Sequence, residues 1–366
     1  MYKALFVFHR WLALGASIIL ILVALSGAAV VFEGPVSLAH AVRVTPGATP
    51  LPLDTLAARA TAAAGGGTVF IVSIGPDSDL AWGFGLVSRD NRRAAPLLDP
   101  YTGAVLPPAE PSTAVRTLRS LHQFHVGLMA GTAGRTTVAL VTIAALILVV
   151  TGLVIWWREK LWRISRNASW KRIVFDLHHA TGVFTAPVLF VITFTGLWVH
   201  YGQVDDWMRK LDSTPQAPPP QQPAPDPGAT LLPLDSILHI ARAAVPGAAV
   251  MSLQFPPNAK APAIVQLRYP EDHTPGGRSR VFIDRYRGTV IRNASTRLAE
   301  PGTQLVNLKR SLHTGDVLGA PTQVIWFLAA LILAAQVVTG VMMWWNGRAA
   351  RKAGAASARF VRRNSA

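Results

Sequence analysis

Three histidines stand in a stretch that otherwise carries no Asp, Glu, Lys or Arg. Residues 177–203 read LHHATGVFTAPVLFVITFTGLWVHYGQ, with His178 and His179 at one end and His200 near the other. The length suits a membrane span, since roughly 20 apolar residues at about 1.5 Å each cross the hydrocarbon core. Twenty-two residues separate His178 from His200, close to six helical turns at about 100° per residue, so both imidazoles are expected on one face at opposite ends. An ionisable group inside a membrane segment is costly to keep, and a neutral imidazole nitrogen there suits iron ligation or a proton relay. The plainer alternative for any single one is an interfacial anchor of a helix end.

Composition bounds the chemistry. Of 366 residues, 51% are hydrophobic and the mean hydropathy is +0.33, which marks an integral membrane protein. The absence of Cys excludes thiolate iron–sulfur clusters, covalent c-type haem, disulfides and Cys-based zinc sites. A redox centre would therefore rest on histidine. The net charge of +16 is unevenly spread. Arg158, Lys160, Arg163, Arg166, Lys171 and Arg172 lie between the second and third apolar segments; Arg348, Arg351, Lys352, Arg359, Arg362 and Arg363 follow the fourth. With Lys3 and Arg10, and against only Glu159 and Asp176, they put most of the positive charge on one side. That is the positive-inside pattern, with both termini cytoplasmic, and it leaves no nucleic-acid footprint to explain.

Four apolar segments and two polar excursions follow from the patterning. The first span is expected within residues 1–32; its LSGAAV end resembles a signal-peptide cleavage region, but the apolar run exceeds a typical one. A polar excursion covers 33–121, with a helix at 53–64, strands at 69–74 and 81–87, and a strand–turn–strand in LLDPYTGAVL. The second span lies within 122–157, a basic loop at 158–176, and the third span at 177–203. A Pro-rich stretch within 204–233 reads as an extended linker. The second excursion, 234–312, again begins with a helix (234–244), with strands at 250–255, 263–269 and 281–284 and the sequence IDRYRGTVI. The fourth span, 313–345, precedes a basic tail, 346–366. The expected fold is an α-helical membrane protein with four transmembrane helices and two small α+β periplasmic domains, built by internal duplication.

The repeat places the histidines. His125-Val-Gly127 with Gly131 recurs as His313-Thr-Gly315 with Gly319, and each leads after 27 residues to Val-Val-Thr-Gly at Gly152 and Gly340. His9 stands 18 residues before Gly27, and His178 stands 18 before Gly196. Eighteen residues are five turns, so each His is expected to share a face with its own Gly. By this topology His9 and His178 lie at the cytoplasmic ends, His125 and His313 at the extracytoplasmic ends. Two imidazoles on each side is the arrangement for bis-His haem b, with two haems per chain. The glycines also suit plain helix packing. Zinc would ask for three or four clustered ligands, and a proton relay for embedded carboxylates, which 177–203 lacks. His122 could replace His125; His179 and His200 could be second ligands or contacts to propionates. His40, His239 and His273 read as surface residues.

The opening HRWLAL, the Leu-His-His-x-x-Gly start of the third span, the LDPYTG turn and the SLHTG…VVTG…MWW end resemble the PepSY-associated transmembrane family, which includes iron-regulated inner-membrane proteins and siderophore reductases. The resemblance covers residue 1 to about 346. It implies that His9, His125, His178 and His313 ligate haem b, and it implies a ferric siderophore or other ferric chelate as substrate. The chain departs in Ala13, where a Gly often follows, and in the additional His122 and His179.

Three readings follow. The first is an inner-membrane di-haem oxidoreductase that takes electrons from a cytoplasmic reductant or quinol and reduces a ferric chelate in the periplasm. Reduction to Fe(II) loosens a hard-oxygen chelate. The second is a non-enzymatic binding or regulatory module; the third is a chelate transporter, although the halves enter the membrane in parallel rather than inverted orientation. No hydrolytic constellation stands out in the excursions.

Overall fold

The computed structural model describes residues 2–107, 110–160, 162–165, 167–215, 217–258 and 260–364, with the side chains of residue 159 and of 349–364 left aside. Among the described residues the helices are α1 (Tyr2–Val30), α2 (Glu33–Ala39), α3 (Leu53–Ala63), α4 (Thr113–Gly127), α5 (Gly131–Glu159), α6 (Trp170–His200), α7 (Gln203–Arg209), α8 (Leu234–Ala244), α9 (Pro301–Thr314) and α10 (Ala320–Asn364). The strands are β1 (Thr68–Ser73), β2 (Trp82–Val87), β3 (Arg93–Ala94), β4 (Leu97–Leu98), β5 (Val105–Leu106), β6 (Ala249–Gln254), β7 (Ala263–Arg268), β8 (Ser279–Ile283) and β9 (Val290–Ala294). The chain divides into a helical unit, residues 1–35, 113–204 and 309–366, and a sheet unit, residues 36–112 and 205–308.

Among the described residues four helical segments are long and apolar enough to cross a membrane: Tyr2–Ala39, Gly131–Arg158, Trp170–His200 and Ala320–Arg348. The backbone polar groups of such segments must be satisfied internally, which selects the helix. Pro187 sits inside α6 without ending it, as membrane helices allow. The helices close a ring in which α1 packs on α5 and α10, and α6 packs on the same two. Small side chains at the seam, Ala16, Ala144 and Ala145 with Leu20, Val141 and Val337, let the backbones approach.

The histidines expected at the start of the second and fourth spans lie instead on the separate helices α4 and α9. A tight turn divides each of these from its span. In both, the second glycine of the HxGxxxG pattern is left-handed, Gly131 at φ 56° and Gly319 at φ 73°, a conformation that costs an L side chain about 1 kcal/mol or more. Between α4 and α5, Leu128 and Met129 also have positive φ. The glycine pattern is thus turn chemistry, and the turns swing α4 and α9 back onto the bundle.

In the sheet unit the two excursions expected as separate small domains share one antiparallel sheet, ordered β5-β4-β2-β1-β6-β7-β8-β9 with β3 also on β2. The junction is β1 against β6, with Val72 opposite Leu253. Each excursion alone would leave this strand as an open edge, and pairing removes both edges at once. A register shift recurs at matching places, between Val69 and Ile71 and between Val250 and Ser252. Helices α3 and α8 cover one face, burying Leu56, Ala60, Ile237 and Ala241 against Phe84, Leu253, Val265 and Ile283. The alternating pattern of β7, buried at every second residue, is the strand signature read in the sequence.

The two helix N-termini cap each other. Asp235 accepts the amides of Leu53 and Asp54 at 2.8 and 2.9 Å, and Asp54 accepts those of Leu234 and Asp235 at 2.8 and 3.1 Å. Each carboxylate thus meets the positive end of the other helix. Burial alone would raise the Asp235 pKa, but the Asp54 and Leu53 amides outweigh it and hold the group below the usual range. In the repeated turns, Asp99 accepts the amides of Tyr101 and Thr102, and Asp284 those of Tyr286 and Arg287. The Pro-rich stretch, expected as a free linker, is partly docked. Gln222 is buried; its amide bonds Lys260 O at 3.0 Å and its side-chain oxygen accepts Arg285 N at 3.0 Å. Extended proline backbone leaves its polar groups unpaired locally, so they bond a neighbouring surface.

Candidate functional site

All four repeated histidines belong to the helical unit, and each is clamped in the same manner by a neighbouring helix. His9 Nδ1 lies 2.8 Å from Thr151 Oγ1, and His178 Nδ1 lies 2.9 Å from Thr339 Oγ1. These hydroxyls already donate to Ile147 O and Ala335 O, each at 2.9 Å or less, so their lone pairs are free to accept from the imidazole. His125 Nδ1 meets Val23 O at 3.0 Å and Ser26 Oγ at 3.5 Å; His313 Nδ1 meets Ile192 O at 3.0 Å and Thr195 Oγ1 at 3.5 Å. A carbonyl can only accept. The proton is therefore held on Nδ1, and Nε2 keeps its lone pair for a ligand bond, the orientation that outer partners impose on metal-binding imidazoles.

The glycines face these rings from neighbouring helices. Gly27 lies against His125 and Gly196 against His313, while Gly152 lies against His9 and Gly340 against His178. A His and the Gly five turns away on its own helix therefore serve different sites: His9 at one end of α1, the clamp of His125 at the other. Eighteen residues of α1 separate His9 from Gly27, about 27 Å along the axis, near the full hydrocarbon thickness of about 30 Å. Sequence reasoning used the glycines and passed over the residues before them, Ser26, Thr151, Thr195 and Thr339. The signal was present, since LSG, VVTG, FTG and VVTG carry a hydroxyl at the same place four times.

The rings of His125 and His313 have centres 6.2 Å apart and planes inclined by 30°. Two imidazoles on opposite sides of one metal, with bonds of about 2.0 Å, would have ring centres roughly 6.3 Å apart. At the other end His9 and His178 line an apolar cavity of about 360 Å³ between α1, α5, α6 and α10, with Trp156 and Trp344 in its wall. That volume falls in the range of small-molecule and cofactor sites. No cluster of three or more His, Asp or Glu side chains able to hold a metal ion occurs among the described residues. The donor set is two pairs of single imidazoles, which fits a planar cofactor that brings its own equatorial ligands.

The remaining candidates separate. His122 bonds Glu33 through Nδ1 and stands outside the ring pair. His179 turns Nδ1 to Phe175 O at 2.9 Å and lines the cavity beside His178, ring centres 5.9 Å apart. His200 is exposed at the end of α6, its ring 4.6 Å from that of Tyr201. His178 and His200 do not make a joint site, because 22 residues of α6 separate them and His178 lines the cavity while His200 is exposed. In the last turn of α6, Trp198 is buried. His40, His239 and His273 are exposed.

Comparison with curated proteins finds no match at a significant level. A family model described as the PepSY-associated TM region matches residues 6–346, spanning all four membrane helices and both segments of the sheet unit. The chain is a member of the PepSY-associated transmembrane family.

Proposed function

We propose that this protein is an inner-membrane electron-transfer oxidoreductase that binds two haem b groups through His9 with His178 and His125 with His313, and reduces ferric siderophores or other ferric chelates. The observation that carries the reading is the fourfold recurrence of one clamp, Nδ1 fixed and Nε2 free, with the second pair at 6.2 Å between ring centres. Haem b held by two imidazoles supplies one-electron transfer with no open coordination position. The basic loop and tail support a cytoplasmic position for the His9 and His178 end and a periplasmic one for the sheet unit. The matching clamps, turns and register shifts of the two halves support a reading by internal duplication.

In this reading the chain's own residues do four things. Thr151 and Thr339 hold the Nδ1 protons of the cytoplasmic pair, and Val23 O and Ile192 O those of the periplasmic pair. Gly27 and Gly196 leave room for the rings. The span of α1 sets the two pairs at opposite membrane faces. Apolar side chains such as Leu20, Leu148 and Leu189 keep water from the cytoplasmic cavity. Each ferric ion takes one electron, supplied from a cytoplasmic reductant or from quinol, which yields two electrons and two protons. Fe(II) is bound less tightly by hard oxygen donors and is released.

The test is a dithionite-reduced minus oxidised spectrum of the purified protein with pyridine haemochrome quantification. Near two low-spin haem b per chain is expected, with reoxidation on adding a ferric chelate. Protein made with ample haem supply that contains none would overturn the assignment and leave a binding module.

A further inference from the structure

The cavity between His9 and His178 has a polarity that the imidazoles do not explain. It runs from Phe6 and Arg10 at one end to Leu20, Leu189 and Leu333 at the other. Ten residues of α1 separate Arg10 from Leu20, about 15 Å of depth. The deep end is hydrocarbon and the mouth carries a guanidinium. Arg10 Nε is shut off from solvent with no hydrogen-bond partner, and Arg10 makes no ion pair among the described residues. It lies over the rings of Phe6 and Trp11, 5.9 and 5.6 Å from their centres. The Nδ1 atoms of His9 and His178 are committed to Thr151 and Thr339, that of His179 to Phe175 O, and Gln336 Nε2 to His178 O at 3.0 Å and Thr181 Oγ1 at 2.6 Å. A partly buried, unpaired cation at the mouth of an apolar cavity asks for an anionic partner that arrives with the ligand.

We propose that Arg10 anchors the carboxylates of an amphiphilic ligand whose apolar body fills the deep end, namely the propionates of the porphyrin. The inference rests on the cofactor reading above. A guanidinium offers a planar fork of donors that matches a carboxylate, and its position at one end of the cavity fixes which way the macrocycle enters. Arg10 is a positioning residue: it selects orientation and retention, while His9 and His178 provide the ligand bonds. A phospholipid phosphate presents the same chemistry, negative oxygens on an apolar body, and the experiment separates the two.

The full chain carrying His313→Ala, so that the cavity pair alone is read, is produced under haem limitation and titrated in detergent with haem and with haem dimethyl ester, whose carboxylates are blocked. Preference for haem over the ester by roughly ten- to hundredfold is expected, the size of charge-assisted hydrogen bonds. Arg10→Leu should abolish that preference while binding the ester as before, and Arg10→Lys should keep part of it. An undiminished preference in Arg10→Leu overturns the role of Arg10 and leaves the cofactor reading standing. Binding of neither compound by the parent overturns the cofactor reading at this pair and the anchor with it. A co-purifying phospholipid that Arg10→Leu loses, with haem preference unchanged, assigns the charge to lipid and also overturns the proposal.

Discussion

Alanine at the four clamp glycines should produce a graded result that the contact distances dictate. A Cβ added at Gly27 would stand 2.8 Å from His125 Cε1 and 3.2 Å from Nδ1; at Gly196 it would stand 3.0 Å from His313 Cε1. Carbon atoms rest at about 3.5–4.0 Å, so the His125 ring must retreat by about 0.7 Å and the His313 ring by about 0.5 Å. His125 cannot do so cheaply, because its Nδ1 bond to Val23 O at 3.0 Å would stretch past the hydrogen-bond limit. Ligand constellations tolerate about 0.5 Å. At Gly340 and Gly152 the nearest atoms are His178 Cε1 at 3.4 Å and His9 Cε1 at 3.5 Å, close to ordinary contact. Those two substitutions should gain the helix preference of Ala over Gly, about 1 kcal/mol. On the proposed di-haem reading, Gly27→Ala is therefore expected to lose haem at the His125–His313 pair, Gly196→Ala to lose part of it, and Gly152→Ala and Gly340→Ala to keep both. Haem per chain and thermal stability in detergent, measured on all four, give the answer. Equal occupancy in Gly27→Ala and Gly152→Ala would refute the reasoning.

The other expectations concern the clamps and the sheet unit. Thr339→Val removes the acceptor for His178 Nδ1–H and should lower haem affinity at that pair by roughly ten- to hundredfold, while Thr339→Ser restores it; reconstitution titrations decide. On the same reading, His313→Ala should remove the haem signal of the His125–His313 pair and chelate reduction yet leave the His9–His178 haem at least partly loaded, which redox difference spectra resolve. Asp54→Ala should strip protection from the Leu234 and Asp235 amides of the other helix at a cost of about 1–2 kcal/mol, read by hydrogen exchange; loss confined to α3 would contradict the reciprocal caps. Acid should weaken the sheet unit. Burial pushes the Asp284 carboxyl up, but the amides of Tyr286 and Arg287 and the Arg287 guanidinium outweigh it and leave the pKa depressed. Its stabilisation is therefore complete above the unfolded value of about 3.9 and lost as pH falls through the lower folded value. Melting should be level from about pH 7 to 5 and fall below about pH 4; Asp284→Asn should flatten that acid slope.

Much of this protein was legible in its sequence because the signals are local. Apolar runs of membrane length determine the four spans, since a helix alone satisfies the backbone in hydrocarbon. Helix α8 has the expected bounds, and β1, β2, β6 and β7 begin or end within a residue of the alternating runs that encode them. The recurrence of His, Gly and paired Trp identified the candidate ligands. What the sequence did not determine is who faces whom. Helical spacing relates His9 to Gly27 on one face, yet only the packing of α1 against α5, and of α4 against α1, decides that Gly152 receives His9 and Gly27 receives His125. The joining of two excursions into one sheet depends on β1 meeting β6 across about 180 residues of chain, which no local pattern records. The docking of Gln222 and the exchanged caps of Asp54 and Asp235 are of the same kind. Periodicity fixes the face on which a side chain stands, whereas its partner is set by which other helix or strand closes the remaining polar and apolar surface.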